Sequence, residues 1–496
     1  MSLSESDRVF YLLEQTVNLR QVSLAVFSVL SLAATAVQAE PAEAVREAAR
    51  KAVLSNPEVQ AKWNAFLAAD AAQDVARGGY LPQLQLSGGV GRERLDRPGQ
   101  PTERFNTRGA ELTLSQMVYD GFYTSSEVER LAYERLGRYY DLLEAAEGAA
   151  SEAWRAYADV VRYRYLVGLA KQNYVEHKIV HQQIEERTAA GVGRRVDLEL
   201  ATGRLALAES NLLTEATNLH DVSARYQRIV GERPADQLPA MPETLDASLT
   251  ATSAEEVLRQ AFSASPALNA AIESVRSGQA QLEAWRSAHH PRVDLRGRQS
   301  HLHNRDGVSG NTRETVVELV LTYNLYRGGA DQARIRQAAD ELNIARDLRE
   351  KACRDIRQTM LISYNEARRL DEQLVYLDQH QLSIGKARQA YRSQFDIGQR
   401  TLLDLLDNEN EFFQARRAHT NAVYDKYIAE GQTLAGMGRL MQALGVARED
   451  LPRLEDLERS REETDLSELC PPEDMPQPEI DKEALFAEAL REAGRN

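Results

Sequence analysis

The sequence predicts a mainly α fold with a transmembrane β-barrel, built from a duplicated helix–hairpin–helix unit that supplies four strands per chain. Three observations carry this. The stretch IGQRTLLDLLD, Ile397 to Asp407, has a counterpart 207 residues earlier, AGVGRRVDLEL, in which Gly191 matches Gly398, Val196 matches Leu403 and Asp197 matches Asp404. Helical periodicity runs without a breaker for nearly 70 residues before each of these turns. Four shorter segments of about 10 residues alternate apolar and polar positions with the period of a strand.

The 496-residue chain is rich in alanine, leucine, arginine, glutamate and glutamine, with only 6% aromatic residues, a composition that favours long helices over compact globules. Residues 1–39 read as a secretory signal. An apolar run from Val22 to Ala36 leads into Val37-Gln38-Ala39, with small residues at the cleavage positions, and the mature chain is expected to start at Glu40. The leader 1–16 is atypical, carrying Glu5, Asp7 and Glu14, and a start at Val17 would leave a short basic lead instead. No cysteine lies near the cleavage site for a lipid anchor, and whether Cys353 and Cys470 pair stays open.

The first repeat spans residues 40–234, a linker 235–253, and the second repeat 254–446. Each opens with a helix interrupted by proline, Ala42 to Gly79 at Pro57 and Ala254 to Ala288 at Pro266. Strands are expected at about 83–94, 108–119, 293–303 and 314–326, paired through loops containing Arg97-Pro98-Gly99 and Asp306-Gly307. Long helices then run to Gly191 and Gly398, roughly 100 Å each at ~1.5 Å per residue. Third helices follow at Arg195 to Val230 and Leu402 to Leu444. Two helices of about 35 residues laid end to end match one of nearly 70, so each repeat can pair one long helix with two short ones, its turn glycine at one end of a rod.

Glu449 to Asn496 hold sixteen acids and six bases, −10 of the net −15, and with Pro471, Pro472, Pro476 and Pro478 residues 447–496 read as a largely disordered tail with a short helix at Lys482 to Glu492. Nucleic acid is a poor partner for such a charge.

Four half-apolar strands do not close a barrel, and an open edge in lipid leaves backbone groups without partners. Three chains would supply twelve strands, with Glu111, Thr113, Glu318 and Thr322 facing the lumen. On these features the chain resembles the TolC family of outer-membrane efflux and secretion ducts. The resemblance covers about residues 42–445, including Asn56-Pro57, Leu81-Pro82, the strand exits Tyr119-Asp120-Gly121 and Tyr326-Arg327-Gly328-Gly329, and the GQRTLLDLLD turn. It implies a homotrimer in outer-membrane lipid whose barrel continues into a long α-helical periplasmic tunnel. It also implies docking to a periplasmic adaptor and an inner-membrane transporter. The run Ala352 to Gln358 resembles the branch serving type I secretion of large adhesins, for which the transporter is of the ABC type. Multidrug efflux is the alternative cargo. A periplasmic coiled-coil adaptor or scaffold without a channel is the alternative of another class.

By the same resemblance Asp404 and Asp407 form an entrance ring, and Arg400 and Asp197 belong to the latch that closes the tunnel tip. Phe395 stands where the family has a tyrosine, so the latch is expected to be built differently. No nucleophile, base and orienting acid stand at catalytic spacing, and Gly88-Gly89-x-Gly91 lies in a strand rather than before a helix. His289-His290 and His301-x-His303 lack a matching ligand set, so neither cofactor nor metal is expected. Trp63, Trp154 and Trp285 read as packing residues, and Tyr119, Tyr123 and Tyr326 as packing or an interfacial belt.

Overall fold

A computed structural model describes residues 41–242, 245, 253–448, 450–457, 466–475 and 480–493. The signal segment lies outside the described residues. The first repeat comprises α1 (Pro41–Ser55), α2 (Pro57–Arg77), β1 (Gln83–Leu95), β2 (Glu103–Tyr119), α3 (Tyr123–Ala189) and α4 (Arg195–Val230). The second comprises α5 (Ala254–Ala264), α6 (Pro266–Arg286), β3 (Arg292–His303), β4 (Asn311–Thr322), α7 (Ala330–Asp396) and α8 (Leu402–Gly436). Short helices α9 (Leu440–Ala443), α10 (Leu454–Leu457), α11 (Leu466–Leu469) and α12 (Lys482–Ala493) follow.

Pro57 and Pro266 each occupy the first turn of a helix, where a missing N–H costs nothing, and the Asn56 side chain caps α2 by accepting from the Glu58 N–H at 2.9 Å. α3 and α7 are 67 residues each. α2 and α4 line α3, and α6 and α8 line α7, the two-short-on-one-long arrangement that the residue count allows. The repeats interlock because α3 also packs on α6 and α8.

The strands form one antiparallel sheet in the order β1-β2-β3-β4, so the two hairpins meet at β2–β3 and both outer edges are open. β4 ends at Thr322 rather than near 326, because β3 begins at Arg292, directly after Pro291, and Arg292 pairs with Thr322. β2 begins at Glu103, earlier than expected, because β1 continues to Leu95 as its partner.

The main core gathers small residues of α1 and α3, including Ala49, Ala52, Ala146 and Ala150, around the fully buried Trp154 and Tyr157. Small side chains allow the close helix approach, and the two large rings fill what remains. Their polar atoms are satisfied: Trp154 Nε1 donates to the Tyr427 carbonyl at 2.6 Å and the Tyr157 hydroxyl to the Pro239 carbonyl at 2.9 Å. Gly431 faces Trp154 so closely that an added Cβ would lie 2.3 Å from the indole Cδ1.

The described parts of residues 447–496 make specific contacts with the helices. Leu451, Leu454 and Leu457 pack on the Phe66, Tyr139 and Tyr140 cluster. Cys470 forms a disulfide with Cys353 of α7, and Arg357 donates to the Pro471 carbonyl at 2.7 Å. Farther on, Lys482 donates to the Tyr376 hydroxyl at 2.8 Å at the start of an otherwise exposed α12. A few leucines and one covalent bond hold a segment whose charge density alone would keep it in solvent.

Glu147 of α3 is buried against α9 and accepts from the Met441 N–H at 3.2 Å. Burial pushes its carboxyl up to about 7, while the Met441 and Leu440 N–H groups pull the other way. The folded chain therefore keeps a proton that the unfolded chain gives up at about pH 4.5, and native stability falls between there and about pH 7, then levels. Glu147→Gln is expected to gain on the parent across that window, up to about 3 kcal/mol, measured as a thermal-midpoint difference that grows with pH and then plateaus.

Candidate functional site

Both turns between long and short helices end in the same backbone geometry. Gly191 and Gly398 each have φ +76°, a left-handed conformation in which a side chain is strained. At the first turn the Gly191 N–H bonds the Thr188 carbonyl and the Val192 N–H the Arg187 carbonyl, both at 3.0 Å. At the second, the Gly398 N–H bonds Phe395 at 2.9 Å and the Gln399 N–H bonds Gln394 at 2.8 Å. The doubly bonded glycine stop closes each long helix. The turns also share one apolar cluster: Val180 and Ile184 of α3, Ala201 of α4 and Leu402, Leu405 and Leu406 of α8, with Leu198 and Phe395 against it. They therefore form a single tip.

The turns differ where the next helix starts. Thr401 caps α8 in a reciprocal box: its hydroxyl accepts from the Asp404 N–H at 3.3 Å, while its own N–H and hydroxyl donate to Asp404 Oδ2 at 3.1 and 2.8 Å. The Thr401 hydroxyl, then its N–H, holds the Asp404 carboxyl below the ordinary carboxylate range. In the first repeat Arg194 occupies the cap position and supplies no side-chain bond, so Asp197 in the first turn of α4 has no such partner.

Asp407 forms a close ion pair with Arg204 of α4, tying the second repeat's turn helix to the first's. Arg400 lies 3.9 Å from Asp404, donates from Nε to Gln394 at 3.0 Å and sits 4.3 Å from the Tyr391 ring centroid. Within one chain it does not reach Asp197. Arg204, Tyr391 and Gln394 escaped the sequence reading. Tyr391 and Gln394 lie within ten residues of Arg400, but only the packing of α4 on α8 brings Arg204 to Asp407.

Above the tip, Glu176 of α3 accepts from Arg388 at 3.2 Å and Arg392 at 2.6 Å, both on α7, and Arg388 also bonds the buried Glu409 of α8 at 2.6 Å. This three-helix ion network borders a hollow of ≈ 420 Å³ lined by Leu169, Asn173, Phe412 and Arg416 among others. None of its members was singled out from sequence, because its pairs span 21 to 216 residues.

In the sheet, register puts Glu111 beside Ser87 and Ser300, Thr113 beside Gln85 and Arg298, Glu318 beside Arg296, and Thr322 beside Arg292. The four expected lumen residues thus share one face. Leu84, Leu86, Leu112, Leu114, Val317 and Leu319 occupy the other, each at least 40% exposed. Among the described residues no helix is long and apolar enough to cross a membrane, so an apolar sheet face is the membrane-facing candidate. No group of His, Cys, Asp and Glu among them could hold a metal ion.

A sheet with one apolar face, continuous with a helical rod that ends in a charged two-turn tip, is the architecture expected of an outer-membrane channel protein. The family model for outer membrane efflux proteins matches residues 48–232 and 257–439, and the chain belongs to that family. The chain is 23% identical over 371 residues to the outer membrane efflux protein BepC of Brucella suis, covering 74% of this chain and 79% of that one. It is 24% identical over 383 residues to the proteases secretion protein PrtF of Dickeya chrysanthemi, covering 72% and 80%. In fold it is similar to the outer-membrane channel OprN, with TM-score 0.70, 20% identity, and coverage of 80% and 90%. It is not an enzyme, as its family consists of outer-membrane channel proteins. The expected alternative of a periplasmic scaffold without a channel is overturned by that membership.

Thr401→Ala removes both hydroxyl bonds of the cap while leaving the glycine stop intact. Hydrogen exchange at the Asp404 amide is expected to quicken roughly fivefold, with no change at the start of α4, where no side chain caps the helix.

Proposed function

We propose that the chain assembles as a homotrimer whose twelve strands close a barrel in outer-membrane lipid. Its helices form a tunnel ending at the Gly191 and Gly398 turns. The observation that carries this is the four-stranded sheet with one apolar face and two unpaired edges. Hydrocarbon tolerates such a sheet only when its edges are closed, and further copies supply matching edges, β4 of one to β1 of the next. The chain is then the passive exit duct of a tripartite system with a periplasmic adaptor and an inner-membrane transporter of the ABC type.

At the tip, three copies would gather Asp404 and Asp407 into an entrance ring favouring cations. Asp404 is half-exposed and held ionised by its cap, which suits that role, whereas Asp407 is partly neutralised by Arg204. Arg400 and Asp197, unpaired with each other inside one chain, are available to neighbouring copies, and Phe395 contributes packing rather than a hydroxyl. In planar bilayers, Asp404→Ala with Asp407→Ala is expected to lower cation preference, and an unchanged permeability ratio would remove the ring.

For cargo, we infer type I protein secretion, with a large adhesin as the substrate class. Support comes from the Ala352 to Gln358 run and from a relative named for protease secretion. BepC, named for efflux, favours the drug alternative. Deleting the gene is expected to strip a large surface protein while leaving drug sensitivity unaltered; the reverse pattern would assign efflux.

A further inference from the structure

The apolar face of the sheet changes chemistry sharply toward its loop end, the end away from the helices. Row by row on that face, Leu84, Leu114 and Val317 are followed by Leu86, Leu112 and Thr315. The next row is Gly88, Ala110, His301 and Arg313, then Val90, Arg108, His303 and Asn311, and finally Arg92 with Asn106 and Arg94 with Arg104. Five arginines and two histidines thus follow the apolar rows directly. The glutamates of these strands, Glu93, Glu103, Glu111, Glu314 and Glu318, all fall on the opposite face by the alternation of the strand. The acids of the four strands are thus confined to that face, which they share with Arg292, Arg296 and Arg298.

The chain carries 75 acids against 60 bases, so an arginine without an acidic partner is not the default. Around the sheet Arg292 pairs with Asp294 and Arg305 of the β3–β4 loop with Glu314, and of the five arginines Arg94 pairs with Asp96. Arg92, Arg104, Arg108 and Arg313 have no carboxylate within ion-pair distance among the described residues. Two of them border an open hollow of ≈ 590 Å³ lined by Gly88, Val90, Arg108, His301, His303 and Arg313. Its floor is bare backbone at Gly88, where an added Cβ would meet only the Gly109 carbonyl, at 3.6 Å.

We propose that Arg108, Arg313 and His301, extended by Arg92 and Arg104, form a headgroup site for a phosphorylated lipid of the outer leaflet. Guanidinium groups match phosphate oxygens in a two-pronged geometry. One strand row is two residues, ~7 Å, so acyl chains lying on Leu86 and Leu112 bring a headgroup phosphate to Arg313 one row on, with Arg108 in the row after it. A free phosphate ion would gain nothing from the apolar rows, and that adjacency selects a lipid. The site anchors the barrel at the height where lipid turns from hydrocarbon to anionic headgroup. It rests on the reading of the sheet as a membrane-embedded barrel.

The test uses the full chain, extracted as the assembled channel in mild detergent, with native mass spectrometry counting bound lipid. Probes are a bis-phosphorylated glycolipid, its dephosphorylated form, and inorganic phosphate. Retention of the phosphorylated glycolipid is expected to fall about tenfold in Arg108→Gln/Arg313→Gln, with weak retention of the dephosphorylated form and no competition from phosphate. Should the double variant not assemble, Arg313→Gln alone, on the edge strand β4, is read the same way. Equal retention by parent and variant, or of both glycolipids, would overturn the site; displacement by inorganic phosphate would make it an adventitious anion site and overturn it too. Conductance of the same samples separates the two readings. A variant that assembles and conducts with undiminished lipid sinks the headgroup site alone, whereas a parent chain that never conducts sinks the duct reading and this site with it.

Discussion

The backbone hydrogen bonds that a four-stranded sheet cannot make for itself govern the rest of this molecule. β1 and β4 each leave one edge open, while β2 and β3 join the two repeats across the centre. An open edge is tolerable in water but not in hydrocarbon, where each unpaired N–H or C=O costs several kcal/mol. The central β2–β3 pairing sets both hairpins side by side and sends both long helices away in the same direction. The two glycine stops therefore arrive at one end, and the tip is a consequence of sheet pairing roughly 100 Å away.

Duplication supplied two copies of each part, and the functional character lies where the copies have diverged. Thr401 closes a capping box on Asp404, whereas Arg194 at the matching position leaves Asp197 uncapped. One acid is thereby locked to its own turn and the other is free to meet something else. Arg204 joins Asp407 across the repeats, and Glu176 gathers two arginines of α7, one of which, Arg388, is also bound to Glu409 of α8. These links cross between helices, which slide or separate there only by breaking them.

The disulfide gives the tail a comparable role in the middle of the rod. Cys353 and Cys470 close a loop of 117 residues, which includes the second repeat's turn at the tip, and the leucines of α10 and its flanks lie on α2 and α3. Such a bond persists in an oxidising compartment, consistent with an outer-membrane protein. It also accounts for part of the Ala352 to Gln358 run, since Cys353 and Arg357 both hold the tail.

Periodicity, proline and glycine are local signals, and what depended on them was legible in the sequence by itself. The duplicated order of helices and strands, the stops at Gly191 and Gly398, the cap at Thr401 and the shared face of Glu111, Thr113, Glu318 and Thr322 follow from spacing along the chain. The end of β4 was not legible, because it is set by where its partner β3 begins. Nor was the packing of the tail, whose charge and prolines speak for solvent while a distant cysteine decides otherwise. Only the tertiary structure paired Asp407 with Arg204, left Arg400 short of Asp197 and set Arg313 and Arg108 in successive rows behind the apolar ones. Those are contacts between residues far apart in sequence, and their partners are chosen by helix packing and strand register rather than by any pattern within one element.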